Sequence, residues 1–265
     1  MTAIEFPPFT ELGPERMFRV TTEPGIGNTL LGEMKTGAWT STSTGAGSAG
    51  SIGILIDDVL AHAVAVESPD RYSTVTTHIH TDYLTSIATD GTLLRATVTD
   101  VSLDRTGGLV TGIIADDDGA AIAHTTLRAR FVPIVDGATP ASFDLHDSNQ
   151  GDAISLIGAI VENRDDGADL TMTIDNSTVN VHGNLHGGVT FCAAEMSATA
   201  AIGNSAMTTS SVDITYLRPA TSNHAVTFQA RTVHEGRQLA AVHVTAINPS
   251  GKKIAVATVT MQRTG

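Results

Sequence analysis

One pattern is written twice in this chain, and that repetition restricts the fold more than any other property of the sequence. Tyr83-Leu84 recurs as Tyr216-Leu217, 133 positions later, and Ile122-Ala123 recurs as Ile254-Ala255, 132 positions later. Around these pairs, residues 78–133 and 212–262 each alternate β-branched with polar residues in four short runs, broken by Asp-Gly, Gly-Gly, Glu-Gly or Ser-Gly. Such alternation with turn dipeptides predicts an antiparallel meander. Each stretch is preceded by a Gly-rich loop and one apolar segment, AGSIGILIDDVLAHAVAV (49–66) and GGVTFCAAEMSATAAI (187–202). Both are apolar nearly all round, so each predicted helix must be covered on every side. A curved antiparallel sheet wrapped around a central helix satisfies this requirement. The expected fold is therefore α+β, with two copies of one unit packed as an internal pseudo-dimer. The first half is expected over 1–135 and the second over 151–265, joined by a linker over 136–150 within a segment rich in Pro, Asp and Ser.

The charge balance narrows the partners. A net charge of −13 and an isoelectric point near 5.0 argue against nucleic acid, because a binder neutralises phosphates with clustered Lys and Arg. An anionic ligand would have to be held by a few placed cations. The single cysteine, Cys192, excludes an intrachain disulfide framework and is most simply a small core residue. The N-terminal segment has neither a basic n-region nor an apolar h-region, which predicts a cytoplasmic protein, and no apolar run is long enough to span a membrane.

Against this background the acids inside the apolar segments stand out. Glu195 is the only Asp, Glu, Lys or Arg between Asp175 and Asp213, and Asp57 and Asp58 are the only ones between Lys35 and Glu67. A lone buried carboxylate costs several kcal/mol, as rough transfer values go, unless it is paired, hydrogen-bonded or neutralised. Ahead of Glu195 the order is Asn180-x-x-Gly183-x-x-His186-Gly187-Gly188, and Thr199 follows it. Glycines at a helix start let a substrate approach the backbone, where unpaired N–H groups sit at the positive end of the dipole. That arrangement can bind an oxyanion. Gly187 and Glu195 are, however, about 12 Å apart along one helix, too far to act on one carbon. If the two helices lie antiparallel across a pseudo-twofold axis, the amide end of one falls beside the acid of the other, giving two composite sites.

The string Asn-x-x-Gly-x-x-His-Gly-Gly followed by Glu nine residues after the His resembles the hotdog-fold acyl-CoA thioesterases, in the branch of the phenylacetate-pathway and 4-hydroxybenzoyl-CoA enzymes. The later segments YLRPA and GRQLA are similar to that branch, and the resemblance covers most of residues 155–262. It extends over 25–131 in outline. The resemblance implies a tandem double hotdog that hydrolyses an acyl-CoA thioester, needs no cofactor and assembles as a homo-oligomer of double-hotdog chains. It also implies that the Gly187 N–H polarises the thioester carbonyl, that Asn180 positions the carbonyl or the water, that Glu195 is nucleophile or general base, and that Thr199 orients the water. The first half departs from the pattern: Ser48-Ala49-Gly50 or Ala49-Gly50-Ser51 stands where His-Gly-Gly should, depending on whether Asp57 or Asp58 is the matched acid. The site joining Asn180, His186, Gly187 and Gly188 to Asp57 or Asp58 is therefore expected to be the better catalyst. A non-catalytic acyl-CoA-binding or scaffold protein is the alternative from another class, and the Asp57-to-His62 spacing leaves a hotdog enoyl-CoA hydratase as a further one.

Other features have plainer readings. His182 and His186 are four apart, but Gly183 and Asn184 between them disfavour a helix, so no metal site is expected. His78 and His80 share one face of a predicted strand and read as polar strand positions. Arg218, Arg231 and Arg237 are the candidate cations for coenzyme A phosphates, with Arg105 the first-half counterpart of the turn at Arg237.

Overall fold

The computed structural model describes residues 13–24, 30–134 and 151–263. The first half opens with helix α1 (Gly13–Phe18), strands β1 (Val20–Pro24) and β2 (Leu30–Lys35), and helix α2 (Gly53–Ala65), then continues with β3 (Tyr72–Tyr83), β4 (Leu93–Asp104), β5 (Gly107–Ala115) and β6 (Ala121–Pro133). The second half repeats this order: α3 (Ala153–Leu156), β7 (Ile160–Arg164), β8 (Gly167–Thr173), α4 (Gly187–Ile202), β9 (Met207–Tyr216), β10 (Ala225–Glu235), β11 (Leu239–Ile247) and β12 (Lys253–Arg263). This is a tandem double hotdog. The expected linker, 136–150, lies outside the described residues.

The twelve strands of the described residues form one antiparallel sheet, ordered β1-β2-β4-β5-β6-β3-β9-β12-β11-β10-β8-β7. The expected four-stranded meanders need correction on two points. Strand β3 pairs with β6 and not with β4, because the connection through 84–92 is long enough to carry the chain across. Each half also has a hairpin ahead of its helix, β1–β2 and β7–β8, that the sequence did not suggest. The halves join where β3 meets β9, with His78↔Thr215, His80↔Asp213 and Asp82↔Ser211 in register. His80 and Asp213 are themselves related by the 133-residue repeat, so the pseudo-twofold axis passes through this pair.

Helices α2 and α4 are each wrapped by the sheet of their own half, which explains why they are apolar around most of their circumference. They also touch each other, and small residues set the distance. A Cβ at Gly188 would lie 2.5 Å from the Ile54 Cα, and one at Gly53 would lie 2.6 Å from Phe191 Cδ1. Ile52, Ile54, Leu55, Phe191, Ala194 and Ala198 belong to the continuous core around this crossing. A left-handed Gly203 (φ 59°) ends α4, as helices commonly end. No helix among the described residues is long and apolar enough to cross a membrane.

Candidate active site

The helices α2 and α4 run in opposite directions where they cross, and each places its acid at the start of the other. The Gly188 N–H donates to Asp57 Oδ2 at 2.9 Å, and the Gly50 N–H donates to Glu195 Oε2 at 3.0 Å. These contacts resolve the choice in the first half: Asp57 is the counterpart of Glu195, and Ser48-Ala49-Gly50 is the counterpart of His186-Gly187-Gly188. Two tyrosines repeat the correspondence, since the Tyr216 hydroxyl donates to the Gly187 carbonyl at 2.8 Å and that of Tyr83 to the Ala49 carbonyl at 2.7 Å. Burial pushes both phenols well up, with the neighbouring acids Asp57 and Glu195 adding to it. Both remain hydrogen-bond donors.

Around Asp57 the surroundings are ionic. Thr76 Oγ1 donates to Asp57 Oδ1 at 2.6 Å, and His186 Nδ1 lies 3.4 Å from Oδ2. On its other side His186 Nε2 lies 3.2 Å from Glu15 Oε1 of α1, which is only 2% exposed. Burial alone would lower the histidine, but the hydrogen bond to Glu15 and the charges of Asp57, Glu15 and Asp58 outweigh it, holding the ring up at about 9. The Gly188 N–H is also 3.0 Å from His186 Nδ1. A protonated Nδ1 cannot accept, so in the imidazolium form this amide serves Asp57 alone. Gly187 is half-buried, and among the described residues its N–H has no hydrogen-bond partner.

The Glu195 site is closed and fully hydrogen-bonded. Glu195 is 2% exposed and accepts from Ser48 Oγ (3.0 Å), Gly50 N–H (3.0 Å), Thr199 Oγ1 (3.0 Å) and Thr209 Oγ1 (2.6 Å). Ser48 and Ala49 are buried as well. Four donors occupy the roughly four lone-pair positions of a carboxylate.

The structure thus gathers Asp57, His186, Gly187 and Gly188 in one place and Glu195 with Thr199 in another. Asp58 points elsewhere: it accepts from Thr22 Oγ1 at 2.7 Å, and burial, with Glu15 adding to it, pushes its carboxyl well up. Asn180 Oδ1 accepts from the N–H groups of His182 and Asn184, so its carbonyl shapes the loop and only its amide nitrogen remains for a ligand. Arg218 stands just beyond Tyr216 at the loop's end of the sheet, exposed, with Nη1 donating to the Lys253 carbonyl at 2.7 Å. Arg231 is on the face of β10 opposite the buried Val226, Phe228 and Ala230, and its guanidinium is engaged by Asp169 (2.8 Å) and Asp166 (3.5 Å). Arg237 is exposed in the β10–β11 turn, at the far end of the sheet from the loop. Cys192 is buried, with its thiol pushed up by burial and by Glu195. No group of three or more His, Cys, Asp or Glu is arranged to hold a metal among the described residues.

Sequence reasoning missed Glu15, Thr76 and Thr209. The two threonines are 133 positions apart, the same offset as Tyr83 and Tyr216, so the repeat itself could have found them. Glu15 carries no such signal.

Comparison with known proteins agrees with this architecture. The fold is shared with the TesB protein of Mycobacterium avium subsp. paratuberculosis (13% identity, 97% of this chain and 100% of that one, TM-score 0.65). An acyl-ACP thioesterase from Bacteroides thetaiotaomicron (12%, 94% and 99%, 0.60) and the 12:0-ACP thioesterase from Umbellularia californica (12%, 89% and 98%, 0.59) have it too. At these identities the likeness establishes the fold, the double hotdog. Residues 182–255 match the Thioesterase superfamily family model, so the second half carries that family's sequence pattern. No curated protein matches the sequence significantly.

Proposed function

We propose that the protein hydrolyses an acyl-CoA thioester at the composite site of Asp57 and the His186-Gly187-Gly188 loop. The observation that carries this reading is the pairing of Asp57 with the Gly188 N–H across the pseudo-twofold axis. It puts an acid beside the helix-start amide of Gly187, which has no partner among the described residues. The thioester carbonyl oxygen accepts from the Gly187 N–H, and the helix-start dipole favours the charge that develops there. Asp57, fixed by Thr76 and Gly188, removes a proton from the attacking water or attacks the carbonyl itself. On the first route the tetrahedral intermediate collapses, the coenzyme A thiolate leaves and the proton held by Asp57 passes to it. On the second, departure of the thiolate leaves an acyl-aspartate anhydride, which water hydrolyses to the free acid and the Asp57 carboxylate while the thiolate takes up a proton from solvent. Arg218 is the candidate for a coenzyme A phosphate, since Arg231 is already engaged by carboxylates and Arg237 is distant.

The Glu195 site supports no equal role, because its acid is saturated and its loop is buried. We read it as a structural remnant of the symmetric arrangement. The phenylacetate-like branch, the division into halves at 135 and 151, and assembly of double-hotdog chains into a homo-oligomer belong to the same proposal. Release of free thiol from a panel of acyl-CoA thioesters tests the reading. Turnover of at least one member is expected, and binding of acyl-CoA without turnover across the panel would favour a non-catalytic acyl-CoA-binding protein instead.

A further inference from the structure

The Asp57 site contains a buried acid that the proposed reaction does not use. Glu15 is on α1, a short helix of the first half, and α1 is pressed against the second half: a Cβ at Gly13 would lie 2.5 Å from the Ser177 Cα and carbonyl oxygen. Through this contact the first half delivers a carboxylate to His186, a residue of the second half's loop. A buried carboxylate is retained at a cost unless partners offset it, and His186 is one of them.

The pseudo-symmetric position shows what happens when the partner is absent. Helices α1 and α3 are each followed within two residues by a residue of positive φ, Arg19 (56°) and Gly158 (62°), and superposing these turns aligns the two helices. On this alignment Glu15 corresponds to Ile154, which packs on the core, just as His186 corresponds to Ser48. One site therefore has a Glu–His pair where the other has Ile and Ser. The acid and the ring are present together or absent together, as expected if each is there for the other.

We propose that Glu15 is a positioning residue of the Asp57 site: paired with His186 Nε2, it keeps the ring an imidazolium whose charge, with Nδ1 3.4 Å from Asp57 Oδ2, holds the Asp57 carboxylate at the loop together with the Gly188 N–H. The groups facing the ring are Glu15 from α1, Asp57 and Asp58 from α2, and the Gly188 amide from α4. Asp58 is held by Thr22, so Glu15 and Asp57 are the acids in direct contact with the ring. The catalytic part of this inference rests on the proposed hydrolysis, whereas the state of the ring does not.

The test therefore reads both. Histidine 15N shifts of the full-length protein are followed with pH for the wild type and for Glu15→Gln, which keeps an accepting oxygen but removes the charge. The wild-type ring is expected to titrate near 9, and in Glu15→Gln to move down toward the ordinary value of about 6.5. On the best thioester, the variant is expected to lose about 10- to 100-fold in kcat at pH 8 through loss of orientation, with KM little changed and the alkaline limb displaced downward. A wild-type ring that is neutral at pH 7 overturns the inference without any variant. So does a Glu15→Gln protein with unchanged titration, or one whose titration moves while kcat at pH 8 stays at the wild-type value. If the ring titrates as stated but no thioester is hydrolysed, the Glu15–His186 pairing stands and the thioesterase reading falls.

Discussion

The carboxylate of Asp57 accepts a 2.9 Å hydrogen bond from the main-chain N–H of Gly188, across the interface between the two halves of the chain. The same relationship holds between Glu195 and Gly50 at 3.0 Å. Each apolar helix can therefore hold a carboxylate because a main-chain N–H at or just ahead of the start of the other helix supplies a donor. The two sites differ in what surrounds this bond, and the predictions follow from that difference.

Gly187 tolerates no side chain without moving the acid. A Cβ there would lie 2.5 Å from Asp57 Oδ2, so Gly187→Ala is expected to displace the carboxylate from the loop amides. Losing one oxyanion-type donor typically lowers kcat about 10²- to 10³-fold, and a loss of that order with a modest change in KM is expected from steady-state kinetics. A Gly187→Ala protein with wild-type kcat would remove this loop from the mechanism.

Gly188→Ala acts on stability first. The added methyl would meet the Ile54 Cα at 2.5 Å and the Gly53 carbonyl oxygen at 2.6 Å, both backbone atoms that cannot rotate away. Overpacking of this kind costs about 1–3 kcal/mol, which a urea titration would read as a lower midpoint. An unchanged midpoint would mean that the helix crossing is looser than described.

Asp58 offers a pH-dependent control. Its carboxyl is pushed well up by burial, so the unfolded chain ionises first as pH rises through the ordinary carboxylate range, and stability is lost as pH climbs from there toward the raised folded value. Asp58→Asn keeps an acceptor for Thr22 and removes that loss. The variant is expected to melt above the wild type at pH 8 and close to it at pH 4, with activity little changed. Equal melting temperatures at both pH values would contradict the burial of a disfavoured charge at this position.

Splitting the chain tests the composite nature of the site. The second half expressed alone, residues 151–265, lacks Asp57 and exposes the edge of β9 that β3 covers. It is expected to be inactive as a monomer, or to dimerise through β9 and place Glu195 opposite the His186-Gly187-Gly188 loop. Size-exclusion chromatography with thioester assays would show this, and a monomeric fragment with full activity would contradict an active site shared between halves.

What the sequence shows and what it hides have physical causes. The pairing of Asp57 and Glu195 with opposite loops was legible, because a lone carboxylate in an apolar helix must find donors and its own loop is two turns away. Choosing Asp57 over Asp58 was not legible, since adjacent helical residues point about 100° apart and the rotation of α2 is set by packing at Gly53, Ile54 and Gly188. The strand content was legible from β-branched alternation, but not the order: turn dipeptides report hairpins such as β4–β5, whereas the pairing of β3 with β6 depends on a longer crossing. The partner of Arg231 was hidden for a similar reason: alternation along β10 places it on the outer face, but that Asp169 of β8 lies beside it there depends on strand order. Glu15 was invisible because a six-residue helix has no periodicity to read and its partner is 171 positions away.

The most direct test of the account is a comparison of Asp57→Asn with Glu195→Gln on the best thioester in the panel. Both substitutions keep the shape of the side chain and an oxygen that accepts the loop amide, and both remove the base. General acid–base groups typically contribute about 10²- to 10⁴-fold, so Asp57→Asn is expected to lower kcat/KM within that range. Glu195→Gln is expected to cost less than about 10-fold on the same scale and to act through stability, since Ser48, Gly50, Thr199 and Thr209 already occupy its carboxylate oxygens. The reverse ranking, with Asp57→Asn near wild type and Glu195→Gln inactive but folded, would move catalysis to the other site and contradict the assignment made from His186, Gly187 and Gly188.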